Sequence, residues 1–270
     1  MNDCLDRGIK EVIEEHPVVG DILNEYEIGC TACTVGTCLL KEVVNIHFLP
    51  PEQEEILMKR IEEAILSGKV EKSGQRQSRD PTPNGTMLSY TQPVQMLVDE
   101  HKLIKRLLAL IPSIVDQINY SGLDRQVILD CVEFIRYYAD RFHHAKEEEI
   151  MFKYVDESAE VIRVIYADHT TGRGHVQAIL KALTEDDRES VIEHLLKYRD
   201  LLVEHIKKED EILYPWIERQ LMPGQVEAMY KSFVSEENRL GPDTTSKYEA
   251  LITVLEEKML TGEEGNDDEV

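Results

Sequence analysis

Apolar residues recur every three to four positions along four long stretches of the chain, 93–119, 124–155, 159–183 and 187–219. That period predicts four amphipathic helices. The connections between them are only a few residues long, so neighbouring helices should run antiparallel, as in an up-down bundle. Shorter helical patterns precede them at 9–15, 18–26, about 34–48 and 52–66, divided by Pro17, Gly29 and Pro50-Pro51. Two more follow Pro223-Gly224, at 225–238 and 248–260. The expected fold is all-α: an up-down four-helix bundle with a small N-terminal helical domain and extra C-terminal helices.

Between the two sets of helices the pattern stops. Residues 72–78 are polar, and Asp80-Pro81-Thr82-Pro83-Asn84-Gly85 is incompatible with a helix interior. The expected organisation is therefore a cysteine-bearing domain over 1–67, a linker over 68–92, the bundle over 93–219, a helical extension over 220–260 and an acidic, unfolded tail over 261–270. Composition agrees with an all-helical chain: 42% hydrophobic, 31% charged, with only 14 glycines and 10 prolines in 270 residues. A formal net charge of −23 argues against nucleic acid as a partner, because phosphate backbones are repelled. No apolar run approaches the roughly 20 residues that cross a bilayer, so no membrane partner is expected. The N-terminus lacks the basic and apolar regions of a signal peptide, which points to the cytoplasm. A homodimer is left open.

Histidine and glutamate supply the chemistry. The second long helix carries His143 and Glu147, and the fourth carries His205 and Glu209. A four-residue spacing leaves each pair only ~40° apart around an α-helix, one turn apart on one face. Ile128, Val132 and Ile135 flank the first pair; Tyr198, Leu201, Ile212 and Trp216 flank the second. Both pairs therefore face the core. His101 shares its stripe with Val94, Leu97, Ile104 and Leu108, and His169 shares its stripe with Ile162, Ile165, Val176 and Leu180. His144 and Glu148 lie ~100° further round in α-helical geometry and read as flanking residues. Buried carboxylates cost several kcal/mol unless paired or ligated. His101, His143, Glu147, His169, His205 and Glu209 thus form a candidate centre for two first-row metal ions, iron above manganese or zinc. The ferritin pattern of Glu-x-x-His on two helices is absent.

Asp99-Glu100-His101, His143-His144-Ala145-Lys146-Glu147-Glu148, Asp168-His169-Thr170-Thr171-Gly172-Arg173 and His205-Ile206-Lys207-Lys208-Glu209-Asp210 resemble the hemerythrin-like His–His–Glu cation-binding family over about residues 93–219. The resemblance implies a hemerythrin-like bundle with two iron ions. The oxygen-carrying members have a second histidine one turn after the first on the third helix, where this chain has Arg173. They also use an Asp five residues after the fourth-helix histidine. Asp210 stands there, but Glu209 repeats the second-helix pattern. Four histidines and two glutamates are similar instead to the di-iron proteins linked to iron–sulfur centre repair. That implies reaction with O2, NO or peroxide, with Arg173 as a nearby cation, and leaves catalysis undecided. The alternatives are reversible O2 binding or sensing, and iron handling.

Gly29-Cys30-Thr31-Ala32-Cys33 with Thr34-Val35-Gly36-Thr37-Cys38 resembles a small redox-disulfide domain. Cys4, Cys30, Cys33 and Cys38 could hold an iron–sulfur cluster or zinc, act as redox thiols, or pack inertly. The cluster or thiol readings imply a redox or iron–sulfur client protein. Cys131 reads as a core residue.

Overall fold

The computed structural model describes residues 7–26, 28, 39–41, 43, 51–67 and 90–263. The chain divides into two compact units, Met1–Ser89 and Tyr90–Val270. Cys4, Cys30, Cys33 and Cys38, most of the helix expected at 34–48, and most of the expected linker and acidic tail fall outside the described residues.

The first unit contains α1 (Ile9–Glu15), α2 (Pro17–Glu25) and α3 (Pro51–Ser67). Pro17 opens α2, where its fixed φ and missing N–H cost nothing. Ile9, Val12, Val19, Ile22, Leu23, Leu57 and Ile61 are buried, and Arg60 on α3 reaches Glu25 on α2 at 2.6 Å.

The second unit is built on four long helical columns. α4 spans Gln92–Ser121. The second column runs through α5 (Arg125–Phe134), a π-helical segment (Ile135–His144) and α6 (Ala145–Glu149). α7 spans Glu160–Glu185. The fourth column is α8 (Arg188–Lys208), a second π-helical segment (Glu209–Leu213) and α9 (Tyr214–Glu218). Each column touches the next, and the fourth closes on α4. α10 (Pro223–Leu240) then lies against α4, and α11 (Thr244–Glu263) lies against α4 and α5. No strand occurs among the described residues, and no helix there is long and apolar enough to cross a membrane.

Local chemistry sets the turns. Gly122 ends α4 at φ +92°, a conformation open mainly to glycine. Asp124 then caps α5 by accepting from the backbone N–H groups of Gln126 (2.9 Å) and Val127 (3.3 Å). Asp187 caps α8 through Ser190 N–H at 3.0 Å. Pro112 sits inside α4 and removes one backbone hydrogen bond without ending the helix.

The interior is apolar at both ends and polar in the middle. One cluster gathers Leu103 to Ile118 of α4 with Ile128, Val132, Ile135, Val176, Leu195 and Ile206. The other gathers Val94, Leu97, Met151, Phe152, Ile162, Ile165, Leu213 and Ile217. His101, His143, His169 and His205 fall between the two along their helices, so the bundle carries a buried polar layer sealed on both sides. Cys131 is buried, and burial pushes its thiol up to about 12, which suits a packing role.

Replacing Asp124 with Ala should lower unfolding free energy by about 0.5–2 kcal/mol through loss of the cap. The denaturant midpoint of the full chain reads this; an unchanged midpoint would show that the cap contributes nothing.

Candidate metal centre

All six residues singled out by spacing meet in the polar layer. His101, His143, His169, His205, Glu147 and Glu209 are each at most 2% exposed. Nε2 of His101 lies 3.0 Å from Nε2 of His143, and Nε2 of His169 lies 3.1 Å from Nε2 of His205. The imidazoles therefore form two pairs, one on each half of the bundle.

Each ring is held from behind by a carboxylate. Nδ1 of His101 meets Asp210 at 2.8 Å, and Nδ1 of His143 meets Glu100 at 2.9 Å. Nδ1 of His169 meets Glu148 at 2.6 Å, and Nδ1 of His205 meets Asp168 at 3.3 Å. A carboxylate on Nδ1 favours the tautomer with its proton there, leaving a lone pair on Nε2. With both rings of a pair in that tautomer, two lone pairs face one another at contact distance and repel; a cation between them, or a proton on one Nε2, relieves this.

Every one of these carboxylates is in turn held by a cation. Lys105 binds Asp210 at 2.7 Å, Lys208 binds Asp168 at 2.6 Å and Arg173 binds Glu148 at 2.9 Å. The fully buried Lys146 bridges Glu100 and Glu237, the latter at 2.9 Å. Arg173 also donates to Asp140 at 2.8 Å. It thus reaches the centre through Glu148 and His169.

Glu209 spans the two halves. Its Oε2 lies 3.2 Å from Nε2 of His101, and its Oε1 lies 3.0 Å from Nε2 of His205. Glu147 Oε2 is 3.4 Å from Nε2 of His169 and 4.0 Å from Nε2 of His143. Glu147 Oε1 accepts from Tyr214 Oη at 2.7 Å, and the Tyr214 ring stacks on His101. Among the described residues, four buried side-chain polar atoms have no hydrogen-bond partner, and three of them are Glu147 Oε2, Glu209 Oε1 and Glu209 Oε2. Such atoms cost about 1–3 kcal/mol each, and more when charged.

Electrostatics expose the same vacancy of charge. Burial and the neighbouring Glu209 drive Glu147 well above the ordinary carboxylate range. Burial also opposes ionisation of Glu209, but His205 and the rings of His101 and His169 outweigh it and hold Glu209 well below. Burial, with the charges of His101 and His144, keeps His143 well below the usual histidine value. At His205 burial is overcome by Glu209 and Asp168, and the ring rises to about 9. Two carboxylates this close do not both ionise in a dry core without positive charge between them. The donor set of imidazole nitrogens and bridging carboxylate oxygens, with those orphaned atoms, fits divalent first-row cations.

Of the two residues read as flanking, Glu148 is part-buried at the edge of the layer, where it is the hydrogen-bond partner of His169. His144 is buried, its ring stacked on His169 with centroids 3.9 Å apart. Burial and the charge of His169 push it down to about 3. The reason is the π-helical segment that ends at His144. A π turn holds more residues than an α turn, so His143 and His144 are separated by less than ~100° and both enter the core. His144, His169 and His205 form one of the groups whose ligand atoms lie within 4.8 Å of one another; His101, His143 and Glu209 form another. Glu100, Asp168, Glu148, Asp210 and Tyr214 were also missed as parts of the centre. The available signal was an acidic residue beside a candidate ligand on all four helices.

A cavity of about 320 Å³ opens beside this layer. Ile135, Val176, Tyr198 and Leu202 give it an apolar wall; His144 and His169 line its inner side. Gly172 also lines it, and an added Cβ there would make ordinary contact with Leu202 and Tyr198.

Fold and site together define an all-α bundle with a buried histidine–carboxylate centre suited to cations. Residues 92–217 match the model of the hemerythrin HHE cation-binding domain family. Comparison with curated proteins and comparison with solved structures each gave no match.

Asp168→Asn should weaken metal binding by about 10–100-fold, because it loosens the support behind His205. Competition against a chelator of known affinity measures this; wild-type affinity in the variant would remove Asp168 from the centre.

Proposed function

We propose that the bundle holds two iron ions and that the centre reacts with O2, NO or peroxide, in the cytoplasm, as part of a stress response or of iron–sulfur centre repair. One observation carries the two-ion part: Glu209 turns one oxygen toward each histidine pair, and neither oxygen has a hydrogen-bond donor. His101 and His143 would hold one ion, His169 and His205 the other, with Glu147 and Glu209 shared between them. The family match supports a cation there, and the mixed imidazole–carboxylate donors favour iron. Iron supplies one-electron redox chemistry and open coordination positions for a diatomic or a peroxide.

The chain's own residues do the rest. Asp210, Glu100, Glu148 and Asp168 keep protons on Nδ1 and so aim each Nε2 inward. Tyr214 holds Glu147 Oε1 by its hydroxyl. The apolar wall of the cavity suits a small gas better than water, and Arg173 and Asp140 stand along the same cavity. Cys4, Cys30, Cys33 and Cys38 would supply electrons or hold a cluster for an iron–sulfur client.

Reversible O2 binding is the second reading, and His144 favours it. Absence of a second imidazole on the third helix argued for a reactive centre, yet His144 brings a fifth imidazole into the layer from the second column.

The full chain, reconstituted anaerobically with ferrous iron, should hold about two iron atoms on the two-pair geometry, and His205→Ala should lose at least one. Exposure of the ferrous protein to O2, followed by removal of the gas, should leave a changed spectrum. Repeated return to the starting spectrum would establish the reversible carrier instead. A folded chain that takes up no iron would end both readings. Acid-labile sulfide in anaerobic preparations would mark a cluster on the cysteines.

A further inference from the structure

The cavity beside the layer is larger than a diatomic or a peroxide requires. A protein cavity of about 150 Å³ lined by aliphatic and aromatic side chains stays dry and takes up benzene. This one measures about 320 Å³, room for a substituted ring. Ile135, Val176 and Leu202 are at most 5% exposed and, with Leu180, make its walls apolar. The charged groups along it are already balanced. Arg173 is shared between Asp140 and Glu148, and Asp168 is held by Lys208. Arg136 is exposed. An ionic guest would find no free counter-charge within, so the cavity suits a neutral one.

Tyr198 adds a polar requirement. It lines the cavity from α8 and is only 2% exposed. Burial and the charge of Asp140 push its phenol up, and no hydrogen bond offsets them. The hydroxyl is not sealed in as the orphaned glutamate oxygens are; the open space beside it is the cavity. A buried hydroxyl without a partner costs about 1–3 kcal/mol, which phenylalanine in the same place would avoid. A guest that bonds to the hydroxyl removes that cost. A mostly apolar pocket with one placed polar group is the usual form of a small-molecule site.

We propose that this cavity binds a small neutral organic molecule of about phenol size, apolar in body and carrying one hydroxyl, with Tyr198 as its hydrogen-bond partner. Bound there, the molecule lies against His144 and His169 at the inner side of the cavity. The centre then takes an organic ligand as well as a gas. That role rests on the proposed function above, whereas the binding itself does not need iron.

p-Cresol and toluene differ by one hydroxyl and serve as probes. Calorimetry and saturation-transfer NMR on the full chain, metal-free and loaded with ferrous iron, should show one saturable site for each. Tyr198→Phe should weaken p-cresol binding about two- to tenfold and leave toluene unchanged. The thermal midpoint of the unliganded variant should stay level or rise, because the hydroxyl has no partner to lose. Val176→Phe and Leu180→Phe add bulk to the wall and should abolish binding of both probes, with circular dichroism confirming that each folds. A wild type that binds neither probe, a Tyr198→Phe chain that changes neither affinity or both alike, or folded bulky variants that bind as the wild type does, would overturn the proposal. Iron uptake in such a chain would leave the two-ion reading standing. p-Cresol binding in a chain that takes up no iron would keep the site and remove that reading.

Discussion

Two glutamates and five histidines share a buried layer in this bundle, and three carboxylate oxygens in it have no hydrogen-bond donor. The packing makes the problem severe. Apolar clusters close the layer above and below, and Glu147 and Glu209 are fully buried within it. The desolvation penalty per charge in such a place is several kcal/mol. A cation at the centre would relieve each of these costs: the Nε2 atoms and the orphaned oxygens of Glu147 and Glu209 would hold it, and its charge would let both glutamates ionise. The surrounding ring of carboxylates and cations is then the apparatus that holds the rings in place for that charge.

That ring explains why the helices carry so many charges in register. Each bundle helix contributes an acid beside its ligand, and the acid serves a histidine on a neighbouring helix. Glu100 from α4 reaches His143, while Asp168 from α7 reaches His205. Glu148 and Asp210 cross the other way, to His169 and His101. Contacts of this kind couple the four helices at one level, and they fix register more sharply than interchangeable apolar side chains can. Lys105, Lys146, Arg173 and Lys208 each neutralise one of these acids, so the layer is stitched outward to the surface.

Much of this was legible in the sequence, because an α-helical period of apolar residues is a strong signal. The four columns and the C-terminal helices lie within a few residues of their expected places, and the six inward histidine and glutamate side chains meet. Legibility ended where the backbone left α-helical geometry. The segment Ile135–His144 is π-helical, and arithmetic at ~100° per residue misplaced His144. A second π-helical segment begins at Glu209, the corresponding place on the fourth column. Neither is visible from propensity, since both are selected by what they aim inward and not by the residues' preference for the conformation. Arg173 lies on α7, outside the π-helical segments, and holds Glu148 behind His169 as Lys105 holds Asp210 behind His101.

The C-terminal extension is tied to the centre by one side chain. Lys146 is fully buried on α6, between Phe142 and Phe233, with its ammonium 4.1 Å from the Phe142 ring centroid and 5.6 Å from that of Phe233. It holds Glu100, which holds His143, and it also holds Glu237 on α10. Its counterpart Lys208 is only partly buried and holds Asp168, and no added helix is involved there. Burying a lysine so completely requires both carboxylates and both aromatic faces, and α10 supplies one of each through Glu237 and Phe233. The chain from α10 to the first histidine pair is therefore continuous in hydrogen bonds, and removal of α10 would leave Lys146 with a single acid to balance. The extension is in this sense tied to the centre: the His101–His143 half of the layer is the half that α10 braces.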